Sequence, residues 1–339
     1  MYLSRSVSFL CFALITGCAT TPSQKEAVYT AGNNKKVDSY IREGINYYDQ
    51  LNYSAAIEQY KSALSLNSSH PIALYELSLA YMSSNKNDEC VATAKSGLGN
   101  TTDLDDKFNG LIATCYSQSG KIRQAISTFK SALKSSPDNF ELHYNLAVAY
   151  SKANEDKQAI RHLKETIKIK PDYASPYLVL GELYRRNNRT VPAMFFFMQF
   201  GLLEQHTART KFAAKNIFNF SSETYSADEN QISVNLESAE GAEHFLTLDI
   251  ALQFFAMESA AEKEQNPARY HVSVLIDLLD LSDDIQKNNP AMTSTFIWQY
   301  AGKDILALHT KGEFKAYAYV MAGKAGIPGM SDRLAAFIR

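Results

Sequence analysis

The stretch Glu141–Ile167 reads ELHYNLAVAYSKANEDKQAIRHLKETI, and the spacing within it decides the fold. Ala147 stands three residues before Tyr150, Ala159 nine residues after it, and Leu163 four further on. The same slots recur outward along the chain. Tyrosines fall at 47, 81, 116, 150 and 184, in steps of 34, 35, 34 and 34. Small residues precede each (Gly44, Ser78, Ala113, Ala147, Gly181) and follow each (Ala56, Cys90, Ala125, Ala159, Ala193). The last slot holds Tyr60, Ala94, Phe129, Leu163 and Phe197, and Pro71, Pro137 and Pro171 punctuate the boundaries. A fixed period of this length marks a chain built from stacked supersecondary units.

The pattern resembles the tetratricopeptide repeat, with units at 37–70, 71–105, 106–139, 140–173 and 174–207. The resemblance implies an all-α superhelix of five helix-turn-helix repeats, in which small residues of a pair meet and the tyrosines fill gaps between pairs. One unit cannot bury its apolar face alone, so a stack forms a continuous core with a concave inner surface. The tyrosine ladder is therefore packing, not chemistry. Unit two carries Ala94 and Gly97 where bulk and alanine are usual, plus one extra residue in GLGNTTD, and its second helix is expected to be the loosest. Unit five has Phe200 where a small residue belongs, so no identical repeat is expected after it; Pro192 suits the first turn of its second helix.

In this family ligands lie on the first helix of each pair. Carried over slot by slot, the groove comprises Ile41, Ile45, Tyr48, Tyr75, Leu79 and Met82 in units one and two. Tyr144, Asn145 and Val148 follow in unit four, and Glu182, Arg185 and Arg186 in unit five. Family members that clamp a C-terminal carboxylate need Lys and Asn where Ile41 and Ile45 stand, which argues against that mode. The N-terminal half of the groove is apolar and aromatic, as a surface for an amphipathic helix or extended peptide would be. The chain's own tether, its C-terminal region or a second copy are the other candidate covers. Arg185, Arg186 and Arg189 form either a solvated face or a contact for an acidic partner.

The amino terminus reads as an export signal, with Arg5 in the positive region and Val7–Ile15 as a short apolar core. Its end, Leu14-Ile15-Thr16-Gly17-Cys18, resembles the lipobox of bacterial lipoproteins. That implies a signal peptide at 1–17, cleavage after Gly17 and lipidation of Cys18. Ala19 after the cysteine favours the outer membrane, with the protein on its periplasmic face. Several acyl chains on one residue make release very slow, at ~0.8 kcal/mol per buried CH₂. Residues 19–36 are a polar tether reaching ~20–25 Å as a flexible coil. Beyond residue 18 no apolar run approaches the ~18–20 residues a membrane span needs, so membrane contact is expected through the lipid alone. An oxidising compartment permits a bridge between Cys90 and Cys115. Their buried helical slots favour a role as small core residues instead.

After 207 the rhythm stops. Residues 208–240 form a connector that opens as a helix and allows a short strand near 231–236. A mainly helical domain follows at 241–339, with helices expected at 242–263, about 267–281, 290–310, 313–323 and 332–338. Asn266-Pro267 and Asn289-Pro290 each look like a cap followed by a first-turn proline. Such a region would cover the last apolar face of the array.

No metalloprotease, nucleophile-elbow or phosphate-loop motif occurs, and the seven histidines lack ligand spacing. Asp277, Asp280 and Asp284 read as a hydrated stripe and His244 as a cap or half-buried residue. A formal charge of −2 over 339 residues gives no electrostatic case for nucleic acid. The expectation is a non-enzymatic scaffold or adaptor for envelope biogenesis, with a protein or peptide partner and no cofactor or metal. By resemblance, repeat lipoproteins of this kind include pilotins of type IV pilus machines and adaptors that recruit hydrolases or proteases. A functional C-terminal module carried on a repeat stalk, which binds a cell-wall ligand or is an enzyme, and self-association into a homo-oligomer are the alternatives.

Overall fold

The computed structural model describes residues 35–100, 102–205, 207–218, 267–288, 295 and 297–325. The expected signal, Cys18, most of the tether, the strand near 231–236, His244 and the helices at 242–263 and 332–338 lie outside the described residues. Every regular element among the described residues is helical. The chain divides into two compact units, Met1–Ala159 and Ile160–Arg339, each described in turn.

The first unit holds α1 (Lys35–Asp49), α2 (Tyr53–Leu66), α3 (Pro71–Ser83), α4 (Asn87–Gly97), α5 (Thr102–Gln118), α6 (Ile122–Ser135), α7 (Phe140–Lys152) and the start of α8 (Asp156–Ile169). These are helix hairpins, and their turns are built alike. The N–H of Asn52, Lys86, Lys121 and Glu155 each donates to the carbonyl of the repeat tyrosine five residues earlier, Tyr47, Tyr81, Tyr116 and Tyr150, at 2.8–2.9 Å. This six-to-one bond closes the first helix of each pair. It requires a left-handed residue just before the donor, and Leu51, Asn85, Gly120 and Asn154 have φ of 62°, 59°, 78° and 59°. Asparagine and glycine tolerate that conformation; leucine does not. Leu51 is also 71% exposed.

Second helices begin or pairs restart on side-chain caps: Asn52 accepts from the Ala55 N–H, His70 from Ala73 and Asn139 from Leu142. Inside the first pair the ring of Tyr60 covers Gly44, a position where any Cβ would stand 2.4 Å from the ring. Small residues were expected to meet small residues; here the bulky fourth slot lies over the glycine of the first helix. Both Gly44 and Ala56 are buried in the resulting contact.

At the second pair the structure departs further from expectation. α4 is only 11 residues long and ends at Gly97, while α5 starts early and runs for 17. The early turn of α5 brings Phe108 over Gly97, where a Cβ would lie 2.2 Å from the ring. The bulk missing at Ala94 and Gly97 thus comes from the next helix. Cys90 and Cys115, expected as separate small core residues, are joined by a disulfide across α4 and α5. They are core residues as well, since both are fully buried among Leu74, Met82, Phe108, Leu111 and Ile112. Burial and bridging were not alternatives.

The second unit contains the rest of α8, α9 (Ser175–Arg186), α10 (Thr190–Leu203), α11 (Ala208–Phe218), α12 (Pro267–Asn288), a π-turn at Trp298–Gly302, α13 (Lys303–Thr310) and α14 (Phe314–Ala325). Asn188 has φ 56° and the Arg189 N–H donates to the Tyr184 carbonyl at 2.9 Å, so the fifth pair turns as the others do. Gly181 again lies under an aromatic ring, that of Phe197. α10 is apolar on nearly all sides, and residues 191–201 are all buried. It packs against α9, α11, the π-turn and α13. Gly201 lets α14 approach, since a Cβ there would stand 2.7 Å from Met321 and 2.8 Å from the Tyr317 hydroxyl. That hydroxyl donates to the Met198 carbonyl at 2.6 Å, and burial raises its pKa well above the ordinary phenol range. Phe200 is buried under the Arg209 guanidinium, which also pairs with Glu204. The helix expected at about 267–281 continues to Asn288, and the described part of 290–310 opens as a π-turn rather than an α-helix.

Candidate partner-binding surface

In the first unit, first helices touch the first helices of the next pair: α1 with α3, α3 with α5, and α5 with α7. Two hydrogen bonds tie them at equivalent places. The Tyr48 hydroxyl lies 2.7 Å from Ser83 Oγ, and Lys152 Nζ donates to Ser117 Oγ at 3.1 Å. Both join the twelfth residue of one repeat unit to the thirteenth of the next, a regularity visible only once the repeats are in register. Ser83, Ser117 and Lys152 were missed from sequence because serine and lysine in a helix carry no signal by themselves.

The expected groove residues fall into two groups. Ile45, Tyr48, Tyr75, Leu79, Asn145 and Val148 are half-buried on these helices, each with part of its surface open. Ile41, Met82 and Tyr144 are 1%, 5% and 4% exposed, and so belong to the core rather than to any surface. Ile41 packs among Val37, Ile57, Tyr60 and Leu77. A slot number fixes the angle of a side chain around its helix, not its depth, and these three lie where the neighbouring helix closes over them.

Tyr48 and Tyr75 are held in place by their surroundings. The Tyr48 ring meets Tyr53 at 5.3 Å, and its phenol is pushed above the ordinary range, chiefly by burial. Tyr75 meets Phe108 edge-on at 5.8 Å, an arrangement aromatic quadrupoles favour. Ile45 and Tyr48 rest on the core of the first pair, Tyr75 and Leu79 on the cluster around the disulfide. In the third repeat Gly110 and Thr114, both half-buried, stand where Tyr75 and Leu79 stand in the second.

In the second unit Arg185 forms a two-pronged pair with Glu182, at 3.0 and 2.8 Å. Its charge is matched within its own helix. Arg186 is half-buried. Tyr184 stacks on Phe196 at 5.4 Å, and burial pushes its hydroxyl up to about 12. In the acidic stripe of α12, the Asp280 carboxylate lies 2.8 Å from His309 Nε2 on α13, so it ties two helices together. Among the described residues no group of three or more His, Cys, Asp or Glu side chains could hold a metal ion, and no helix is long and apolar enough to cross a membrane.

Residues 41–94 and 116–180 each match the tetratricopeptide repeat. No curated protein matches the chain. Solved structures that resemble it include a thermophilic TPR protein of Thermus thermophilus, at 20% identity and TM-score 0.48, covering 53% of this chain and 98% of that one. PilF of Pseudomonas aeruginosa is 16% identical with TM-score 0.47, over 54% of this chain and 83% of that one. PilW, a widely conserved type IV pilus biogenesis factor, is 15% identical with TM-score 0.49, over 54% and 85%. With five hairpins closed by one turn geometry and two matched segments, the chain carries tetratricopeptide repeats, an architecture that serves as a scaffold for protein–protein interaction.

Proposed function

We propose that the protein is a lipid-anchored scaffold of the bacterial envelope. It holds a peptide segment, helical or extended, on the first-helix surface of its N-terminal repeats, with Cys18 carrying the lipid at the outer membrane. The observation that carries the binding reading is the half-buried strip of Ile45, Tyr48, Tyr75 and Leu79 on α1 and α3. Each side chain is packed against the core on one side and open on the other. Little side-chain entropy is then left to lose when a ligand arrives, which favours affinity. The Cys90–Cys115 bond is in keeping with an oxidising compartment.

The test uses the full-length chain in cells. A photo-crosslinking side chain placed at Ile45 or Leu79 should trap one protein, identified by mass spectrometry. Tyr75→Ala and Leu79→Asp should each abolish that adduct with the helical circular dichroism unchanged. An adduct that survives both substitutions would show that the strip is not the binding surface. Separately, Cys18→Ala should move the protein from the membrane to the soluble fraction, and continued membrane retention would remove the anchor from the proposal.

A further inference from the structure

The disulfide between Cys90 and Cys115 lies where no reagent in solution can reach it. Both residues have no exposed surface, and Leu74, Met82, Ala94, Leu104, Phe108 and Leu111 help to enclose them. Thiol–disulfide exchange requires a thiolate to attack along the sulfur–sulfur axis, so access limits the rate. The packed pair of helices therefore obstructs the reaction in both directions. The two cysteines are separated by 25 residues, on helices joined by the short turn after Gly97. Local folding alone is enough to bring them together before the neighbouring repeats have closed.

We infer that the Cys90–Cys115 bond is installed on an incompletely packed chain by an external disulfide donor, and that closure of the second and third repeats then makes it inert to reductant. The donor is a protein or small-molecule disulfide. One cysteine thiolate attacks it, forming a mixed disulfide and expelling the first donor thiolate. The second cysteine thiolate then attacks the chain's own sulfur in that mixed disulfide and expels the second. The chain loses two electrons and two protons; the donor leaves as two thiols. A thiol-oxidising step is thus part of this protein's assembly, and its site is the α4–α5 hairpin. Phe108, whose ring packs over Gly97, belongs to the same buried cluster as the two cysteines and helps to enclose that site.

The test needs no variant. Purified, oxidised full-length protein is treated with dithiothreitol with and without guanidinium, every sample is quenched by alkylation in guanidinium, and the modified cysteines are counted by mass spectrometry. Reduction without denaturant should be slower by at least about 100-fold, as expected when it requires local opening of a packed region. Equal rates would overturn the inertness. In the second arm, reduced chain is refolded either with oxidised glutathione present from the start or with it added after folding is complete. Bond formation should be fast in the first case and slow in the second, and equal rates would overturn the order of events. Alkylation in guanidinium of protein taken from cells, before any reduction, should leave positions 90 and 115 unmodified. Two free thiols there would remove the bond itself.

Discussion

The ring of Tyr60 lies against Gly44 so closely that the two form a single contact between α1 and α2: a methyl group on the glycine would stand 2.4 Å from Cε1. Tyr60 is fully buried, so it has nowhere to swing. Gly44→Ala should therefore destabilise the protein by roughly 1–3 kcal/mol, the usual cost of overpacking a dense core. Urea unfolding reads this as a lower midpoint. Adding Tyr60→Leu to Gly44→Ala should give a smaller loss than the two single losses summed, because the clash disappears. Strict additivity would mean the contact is not the cause.

Leu51 is a residue of the wrong type for its backbone. At the equivalent turn position the other repeats place Asn85, Gly120, Asn154 and Asn188, all with positive φ. Leu51→Asn should raise stability by about 1 kcal/mol, the approximate penalty of a left-handed conformation for a branched side chain. The reciprocal change, Asn154→Leu, should lower it by a similar amount. Chemical denaturation of both variants against the parent decides the matter, and a loss on Leu51→Asn would contradict the turn geometry.

Replacing both cysteines, Cys90→Ala with Cys115→Ala, releases a closed loop of 25 residues. On chain-entropy grounds the cost is roughly 3 kcal/mol. The double variant should still show helical circular dichroism, with its unfolding midpoint lowered. An unchanged midpoint would mean that the packing around Phe108 suffices without the bond.

His70 ties stability to pH. Burial holds its imidazole below the ordinary range, and its Nδ1 accepts the Ala73 N–H, which only a neutral ring can do. The folded chain thus binds this proton more weakly than the unfolded chain. Stability from the group is complete above the ordinary imidazole range, and is lost as pH falls from there through the folded value. His70→Asn keeps a cap acceptor without the titration, so it should flatten the difference in urea midpoint between about pH 8 and about pH 5. The cap itself is worth about 1 kcal/mol, which His70→Ala would lose at the higher pH.

The repeats were legible because stacking imposes one geometry at every joint. Tyr47, Tyr81, Tyr116, Tyr150 and Tyr184 recur since each must fit the same kind of gap and end the same kind of helix. The turn slot repeats just as regularly, but Leu51 disguises it in the first unit. The groove was only partly legible. Ile45 and Leu79 keep an open side while Ile41 and Met82 do not, and that difference depends on how far a neighbouring helix leans over. The disulfide was hidden for a related reason: two buried cysteines in adjacent repeats look alike whether or not their sulfurs face one another. What packs on α10 was foreshadowed by Phe200 alone, since Gln199 bonding Asp304 and Tyr317 bonding Met198 join residues more than a hundred positions apart.

Because α10 is enclosed by unlike neighbours, it offers no vacant flank for a copied hairpin. Gene duplication could lengthen this protein only by inserting a cassette upstream, between joints that still repeat, and never by appending one past the fifth. Its last pair is a stopper, and a lineage that keeps it has a fixed growing end.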